Sequence, residues 1–455
     1  MRRSTLPAGL IAVLVLASAS GCGSAPPPAT TVEPHQLGAS FPRHDATAPT
    51  PSFEEPVGEL SLQEALGLAL VHNPNLLVYS LEIRAREAEA LQAGVWPNPD
   101  LGAELENFGG SGAASGFDGA ETTLALSQLV ELGGKRSKRL SLATLDRDLA
   151  AWDYESVRID VLTETTKRFI AVVAAQEQLL VADELVEVAA DVLEAVARRV
   201  RAGGRSPVEE NRARVTLETT RIDRARRVQD LSVARNALAA QWGSIEPQFQ
   251  SAEAELEKLH SLPALSTLAE SIEHTPALAR WTTEVARRQA VQELAASGGT
   301  PDLSIGAGLR HFSETGDLGA VVGLSLPLPL FDRKQGAVEA AQSRVIQADH
   351  ARLSVTTATR VALQAELAEA QASFDEATAL RDRVVPEAES AFTLAQDAYG
   401  RGRMRLTDVL DTERTLFELR ARLVDAMQRY HTAVAELERL AGVPLADPSH
   451  ESRRR

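Results

Sequence analysis

Two carboxylates stand close together near the end of the chain. Asp408 and Asp411 are three residues apart, so in a helix they lie on one face. Carboxylates that are brought close together repel one another, which raises the pKa of some of them and attracts cations. Alternatively, acids near the start of a helix are simply favoured by the helix dipole on a solvated face. The spacing by itself leaves both interpretations open.

Other chemistry finds little support in the residues. The sequence has no P-loop, no HExxH motif and no nucleophile elbow, so it indicates a protein without enzymatic activity. Its nine histidines are scattered without the close pairs that a metal site needs, and no cofactor is expected. The 47 Lys and Arg against 63 Asp and Glu give a net charge of −16. Nucleic acid is therefore excluded as the main partner, because phosphate binding needs a basic surface.

The amino terminus has the features of a bacterial export signal. Two arginines precede the apolar run 6–16, which is too short to span a bilayer, so residues 1–21 are predicted to be a signal peptide. The junction Ala19-Ser20-Gly21-Cys22 resembles a lipobox, in which Cys22 becomes the lipidated first residue of the mature chain. Plain cleavage near Ala19, with Cys22 an incidental thiol, is the alternative. The glycine after the cysteine favours the outer membrane.

The stretch after this cysteine is rich in proline. Residues 23–57 hold eight of the 22 prolines and cannot bury enough apolar surface to offset the entropy of ordering. Residues 22–57 are therefore predicted to be an extended tether. Residues 443–455 are predicted to be a disordered tail.

The rest of the chain is a tandem repeat. Five pairs of landmarks keep a nearly constant offset. Two pairs are 202 residues apart: Asn73-Pro74 with Thr275-Pro276, and Asn98-Pro99-Asp100-Leu101 with Thr300-Pro301-Asp302-Leu303. Three pairs are 199 residues apart: Gly203 with Gly402, Glu209 with Asp408, and Gly243 with Gly442. The first repeat is predicted at 58–243 and the second at 264–442, with a linker at 244–263.

Each repeat is predicted to contain two very long helices. Apolar residues recur every seven positions, as at Val172, Leu179, Val186, Leu193 and Val200, and this spacing is the signature of a coiled coil. The predicted helices are 133–202, 206–243, 332–400 and 405–442. At about 1.5 Å per residue the first would be a rod of roughly 100 Å. These helices alone would also fit an ordinary antiparallel coiled coil.

Each repeat also carries a strand hairpin, predicted at 99–130 and at 301–330. Within 303–312, apolar residues alternate with small, polar or charged ones, which places the two sets on opposite faces. Strands of about 9 to 11 residues cross a bilayer in a barrel with the apolar face toward lipid. A soluble sheet packed under helices is the alternative. Four strands cannot close a barrel, so hairpins that span a membrane require an oligomer, and three chains would supply twelve strands.

Four ordered motifs resemble the TolC family of outer-membrane efflux proteins. They are SLQEALGLALVHNPNL at Ser61 to Leu76, LSQLVELGGKR at Leu126 to Arg136, LSLPLPLFDRKQG at Leu324 to Gly336, and GRMRLTDVLDTERTL at Gly402 to Leu416. The lipobox and the LGGKR and PLFDR elements look most like the lipoprotein members that serve metal and drug efflux pumps. The resemblance implies a mainly α-helical, trimeric channel-tunnel whose β-barrel of twelve strands spans the outer membrane and continues as a helical barrel across the periplasm.

The resemblance also implies partners and a gate. The homotrimer would contact outer-membrane lipid and dock onto a periplasmic adaptor and an inner-membrane transporter of RND type. Asp408 and Asp411 match the family's gate motif, while Tyr399 and Glu209 match positions that hold the closed state. Met404 departs from the pattern, since the best-known member has a basic residue there. The adaptor is expected to contact the glycine-containing turns at Gly203, Gly204, Gly402 and Arg403.

Two other kinds of protein share some of these features. A lipidated periplasmic adaptor would show one helical hairpin flanked by soluble β-domains. A structural coiled-coil tether without a pore would not need alternating strands in four places. The duplicated halves and the amphipathic strands disfavour both.

Overall fold

The structure, a computed structural model, describes residues 54–445. The expected signal peptide, Cys22, most of the tether and the end of the tail lie outside the described residues. The helices are α1 (Leu62–His72), α2 (Pro74–Ala93), α3 (Lys135–Arg201), α4 (Pro207–Ala239), α5 (Leu265–Ser271), α6 (Pro276–Ser297), α7 (Gln335–Ala379), α8 (Val385–Gly400) and α9 (Leu406–Ala441). The strands are β1 (Gly58–Ser61), β2 (Asp100–Glu106), β3 (Glu121–Val130), β4 (Phe249–Glu253), β5 (Leu303–Phe312) and β6 (Leu318–Ser325).

The long helices follow the heptad seam of the sequence. Helix α3 runs for 67 residues without interruption, which is about 100 Å at the usual rise per residue. Val172 of this seam is fully buried, and so is Val196, which belongs to a second seven-residue series with Ala175, Ala182 and Ala189. At its far end the chain turns through 202–206, and Ser206 caps α4 by accepting a hydrogen bond from the Val208 amide at 3.3 Å. The apolar seams thus carry the packing of the helices, while polar residues end them.

The corresponding helix of the second repeat is divided. A single helix over 332–400 was expected, whereas α7 ends at Ala379 and α8 begins at Val385. A wider π-helical turn, Leu380–Val384, joins them. Pro386 follows directly, and proline lacks an amide hydrogen and crowds the carbonyl four residues before it. The π turn accommodates this proline without ending the helical path.

The two hairpins form one four-stranded antiparallel sheet in the order β2-β3-β5-β6. The central pair, β3 with β5, joins the first repeat to the second with Leu124 opposite Leu309. Within the hairpins, Ala103 lies opposite Leu124, and Leu309 lies opposite Ala320. Residues directly opposite each other point to the same face, so the apolar positions of all four strands share one face. Strands β2 and β6 are the two edges.

The apolar face of this sheet is exposed in the protomer. Leu101 is 70% exposed, Val322 is 76% exposed, and Leu124 and Leu309 are exposed as well. The opposite face is polar, and Arg310 there pairs with Glu121 at 2.7 Å and with Glu106 at 3.1 Å. The period-two interpretation of the strands is therefore confirmed. The alternative of a sheet packed under helices is wrong, because the large apolar side chains face outward.

The last strand is shorter than the alternation of its sequence suggests. Apolar residues continue at every second position to Leu330, but β6 ends at Ser325. Pro327 and Pro329 follow, and proline cannot donate a hydrogen bond to a neighbouring strand. The remainder of the predicted hairpin therefore leads toward α7 outside the sheet.

A small second sheet was not predicted. Strand β1 pairs in parallel with β4, which lies within the expected linker 244–263. The side-chain amide of Gln176 on α3 pairs with Ala252 of β4, donating to its carbonyl at 3.0 Å and accepting from its amide at 2.8 Å. This side chain satisfies an edge of β4 that no strand covers.

The chain divides into two compact units that cut across the two repeats. One unit comprises Ile83–Ala150 and Thr282–His350 and contains the four-stranded sheet. Among the described residues, the other comprises 54–82, Ala151–Trp281 and 351–445. It contains three apolar clusters, which centre on Trp242 and Phe249, on Phe392 and Tyr399, and on Leu363 and Leu437.

Within residues 54–445, no helix combines the length and the apolar character that crossing a membrane requires.

A glycine in the central strand pair gives a stability test of the sheet. A side chain at Gly308 would meet the backbone of β3, with its Cβ only 2.7 Å from the Cα of Ala125, whereas a Cβ at Gly323 would meet nothing within 4 Å. We expect Gly308→Val to lower the thermal unfolding midpoint in detergent by several degrees, because overpacking costs about 1 to 3 kcal/mol. Gly323→Val is the matched control. Equal melting of the two variants, followed by circular dichroism, would contradict this register.

Candidate functional site

The far ends of the long helices form two turns that we call the tips, 202–206 and 401–405. Gly203 and Gly402 adopt φ angles of 75° and 74°, in the left-handed region that favours glycine. A Cβ at either position would meet nothing within 4 Å, so glycine is needed there for conformation and not for space. All four residues predicted at the tips, Gly203, Gly204, Gly402 and Arg403, are exposed.

Tyr399 joins three helices at the base of the tips. Its ring is buried, and its hydroxyl donates to Glu209 on α4 at 3.3 Å. Arg199 at the end of α3 donates to the carbonyls of Tyr399 at 3.2 Å and of Gly400 at 2.9 Å. Its guanidinium also lies 4.7 Å from the Tyr399 ring centroid, and that of Arg205 lies 5.2 Å from it. Burial raises the pKa of Tyr399, so the hydroxyl remains a donor at neutral pH.

The two predicted gate residues have different surroundings. Asp408, in the first turn of α9, accepts two hydrogen bonds from Arg405, at 2.9 Å and 3.2 Å. These bonds hold the pKa of Asp408 below its ordinary value. Asp411 follows one turn later and is exposed. Within one protomer the neighbouring guanidinium of Arg405 is thus the main influence on Asp408. The rise in pKa expected among the carboxylates of three copies stays a prediction.

Three arginines at or next to the tips, Arg199, Arg205 and Arg405, were missed in the sequence. Arg199 and Arg205 stack on Tyr399 from α3 and from the first tip, and Arg405 neutralises Asp408. Met404, which stands where the best-known family member has a basic residue, packs half-buried against the cluster of Phe392 and Tyr399. Of these contacts, only the Arg405–Asp408 pair could have been predicted from the sequence, because the two residues are three positions apart. The contact of Arg199 with Tyr399 bridges 200 residues and leaves no local signal.

Two helices carry apolar stripes that the described residues of one protomer leave exposed. On α4 and α7, large aliphatic side chains at roughly heptad spacing are exposed: Val208, Val215, Ile222 and Val233 on α4, and Ile346, Leu353 and Val361 on α7. Such contiguous apolar stripes are typical of surfaces that another chain covers.

Metal-binding side chains do not converge in the described part of the chain. Over residues 54–445, no group of three or more His, Cys, Asp or Glu side chains is placed so that it could hold a metal ion.

Comparison with known proteins gives a consistent picture. The sequence matches the family described as outer membrane efflux protein over residues 65–244 and 267–443. It is 36% identical over 401 residues to the cobalt-zinc-cadmium resistance protein CzcC of Cupriavidus metallidurans, covering 87% of this chain and 93% of that protein. It is 26% identical over 322 residues to the nickel-cobalt-cadmium resistance protein NccC of Alcaligenes xylosoxydans xylosoxydans, covering 70% of this chain and 72% of the relative.

Solved structures share the fold. CusC, whose structures concern folding and transmembrane channel formation, superposes on this chain with a TM-score of 0.72 at 19% identity. The superposition covers 89% of this chain and 98% of the CusC chain. The CmeC outer membrane channel of Campylobacter jejuni superposes with a TM-score of 0.71 over 86% of this chain and 88% of its own, at 16% identity.

Neighbouring arginines test how the tips are held. Arg199 bonds to two carbonyls at the end of α8, whereas Arg198 pairs with Glu194 on its own exposed helix face. We expect Arg199→Gln to speed hydrogen exchange of the amides at 400–403 about tenfold, since hydrogen bonds from a charged donor contribute about 1.5 to 3 kcal/mol each and exposure reduces this. Arg198→Gln is the control and should leave exchange unchanged. Equal effects, measured by mass spectrometry, would show that Arg199 does not hold the tips.

Proposed function

Because the chain belongs to the outer membrane efflux protein family, we propose that its cargo is a divalent metal cation and that carboxylates near the helix tips set the aperture of its duct. The chain is the outer-membrane exit duct of a tripartite efflux system. It is a homotrimer in the outer membrane that extends into the periplasm. Its partners are a periplasmic adaptor and an inner-membrane transporter of RND type.

The single observation that most supports a function as an outer-membrane duct is the four-stranded sheet with its exposed apolar face. Strands β2 and β6 are its edges, and an unpaired strand edge cannot remain in lipid because its amide and carbonyl groups find no water there. In the trimer the edges of neighbouring subunits pair and close a barrel of twelve strands. The polar face with Arg310, Glu106 and Glu121 then lines the lumen.

The aperture is assigned to the helix tips. Asp408 and Asp411 lie in the first two turns of α9, and a trimer brings three copies of each toward one axis. The bond of Tyr399 to Glu209 and the bonds of Arg199 to the end of α8 would hold the closed arrangement. The exposed glycine turns, with Gly203, Gly204, Gly402 and Arg403, would form the surface that the adaptor contacts.

The cargo is inferred from the relatives and from the charge of the lumen. The relatives are resistance proteins for cobalt, zinc, cadmium and nickel. The register places four carboxylates on the same face as Arg310: Asp100, Glu104, Glu106 and Glu121. Within the four strands of each protomer, carboxylates therefore outnumber guanidinium groups four to one on the polar face. Such a lumen favours hydrated cations over anions without coordinating them.

The proposal also includes a lipid anchor and a purely passive role. The lipid anchor on Cys22 would hold the chain to the outer membrane, and the duct would carry out no enzymatic reaction and need no cofactor. The lipidated adaptor and the tether without a pore are disfavoured, because the family match covers both repeats.

Removal of the tip carboxylates tests the aperture. We expect Asp408→Ala with Asp411→Ala to raise the single-channel conductance in planar bilayers by roughly two-fold or more, because six carboxylates and the Arg405 pairs leave the trimer's constriction. Glu418→Ala, an exposed acid farther along the same helix, is the control. Conductance that stays at the native level in the double variant would show that Asp408 and Asp411 do not set the aperture.

A cobalt chloride gradient tests the cargo class. We expect the reversal potential across a bilayer containing the trimer to have the sign of a cation-selective pore. Glu104→Gln with Glu106→Gln should move it toward zero, because the lumen loses charge there. Glu418→Gln should leave it in place. A reversal potential with the sign of anion selectivity would contradict a cation cargo.

A further inference from the structure

One buried carboxylate near the tips has no assigned role. Glu413 is 1% exposed, and both of its carboxyl oxygens are buried without a hydrogen bond to any described residue. It lies four residues after Val409 and four before Phe417, both of which are buried, so it belongs to the packed stripe of α9. A carboxylate in such a place is costly when it is ionised and unpaired.

The elements packed around Glu413 offer it no counter-charge. An open cleft between α3, α4 and α9 adjoins it, and α3 lines this cleft with Gln178 and aliphatic residues only. The charged residues that line the cleft are Asp223, Arg226, Arg227 and Asp230 on α4 and Asp411, Arg414 and Glu418 on α9. Elsewhere on α3 and α8, four acids are paired: Asp183 with Arg224, Glu184 and Glu389 with Arg420, and Asp397 with Arg401. Glu187 and Asp191 of α3 and Glu387 of α8 are exposed.

Several of the cleft's charges are already engaged with each other. Arg227 pairs with Asp230 at 3.6 Å, and Arg414 pairs with Glu418 at 2.7 Å. Burial alone raises the pKa of Glu413 from 4.5 to about 7. The packed arrangement therefore contains the neutral acid below that pH, and it must accommodate a buried charge above it.

The position of Glu413 connects this charge to the aperture. The apolar cluster around Phe392 and Tyr399 joins α3, α4, α8 and α9, and Val409 and Phe417 on either side of Glu413 belong to it. Asp411 precedes Glu413 by two residues, and Asp408 precedes it by five. Because both carboxyl oxygens of Glu413 are buried in the packed arrangement, a movement of α9 away from α3 and α4 at the cleft would bring water to the ionised group. A movement of α9 there would carry both aspartates with it.

We propose that Glu413 is a positioning residue for the aperture: its neutral form keeps α9 packed on α3 and α4, and its ionised form releases α9 together with Asp408 and Asp411. The inference rests on the proposed gate at the tips. The folded protein binds more protons than the unfolded chain between pH 4.5 and about 7, so the packed arrangement loses stability as the pH rises through this window. Alkaline pH therefore favours the open tips.

The test compares Glu413→Gln with Glu418→Gln in planar bilayers. Glutamine preserves the shape of the neutral acid and cannot ionise, whereas Glu418 lines the same cleft but is exposed and paired with Arg414. Between about pH 5.5 and about pH 8.5 we expect native conductance to rise several-fold. Glu413→Gln should stay at the low level, and Glu418→Gln should follow the native protein. A native rise in conductance that persists in Glu413→Gln overturns the proposal.

A second measurement separates this inference from the gate itself. A cysteine in place of Thr220, a buried residue of α4 that lines the cleft, reports whether the cleft opens even if no pore is recorded. Its labelling by a maleimide, read on the modified peptide, should be several-fold faster with Glu413 than with Glu413→Gln at about pH 8.5 and equal at about pH 5.5. Ionisation of the thiol is common to both backgrounds and cancels in this ratio. If the two backgrounds are labelled equally at both pH values, the role of Glu413 is overturned. If labelling is faster with Glu413 at about pH 8.5 but the conductance does not change with pH, only the proposed gate at the tips is contradicted.

Discussion

The need to pair two strand edges in lipid governs this molecule. Each chain contributes four strands, and β2 and β6 each leave one side without a partner inside the protomer. Water satisfies such groups at the surface of a soluble protein, but the bilayer core contains none. The apolar side chains that alternate along the strands place the sheet in that core. Trimerisation is therefore a condition for the fold in the membrane, since only closure into a cylinder leaves no edge unpaired.

The long helices also favour association of the chains, but through burial of apolar side chains. The aliphatic stripes of α4 and α7 are exposed in one protomer, and burying them against a neighbouring subunit gains the hydrophobic stabilisation that the separate chain lacks. Tandem duplication makes this possible, because each repeat supplies one hairpin and one set of long helices. A single gene product thus provides two similar sectors of the barrel, and three copies complete it.

Charged side chains at the tips pair with one another and with the ends of neighbouring helices. Arg199 and Tyr399 tie α3, α4 and α8 through hydrogen bonds and ring contacts. Arg405 neutralises Asp408 within its own chain, which lessens the repulsion that three copies would otherwise generate. Glu413 contributes the opposite effect, an acid buried without a counter-charge. The tips are therefore stabilised by exposed pairs whose strength is modest and are opposed by one buried group.

The sequence alone determined the repeats, the long helices, the two strand faces and the family, because periodicity and ordered motifs are local properties that survive without coordinates. It also indicated Asp408, Asp411, Tyr399 and Glu209, although their roles stay a prediction. Only the tertiary structure decided that Arg199 reaches the end of α8, that β1 pairs with β4, and that Glu413 is buried. Each of these depends on contacts between residues far apart in the chain, or on the burial that such contacts create. No spacing rule describes them, because the chain must fold before the partners meet.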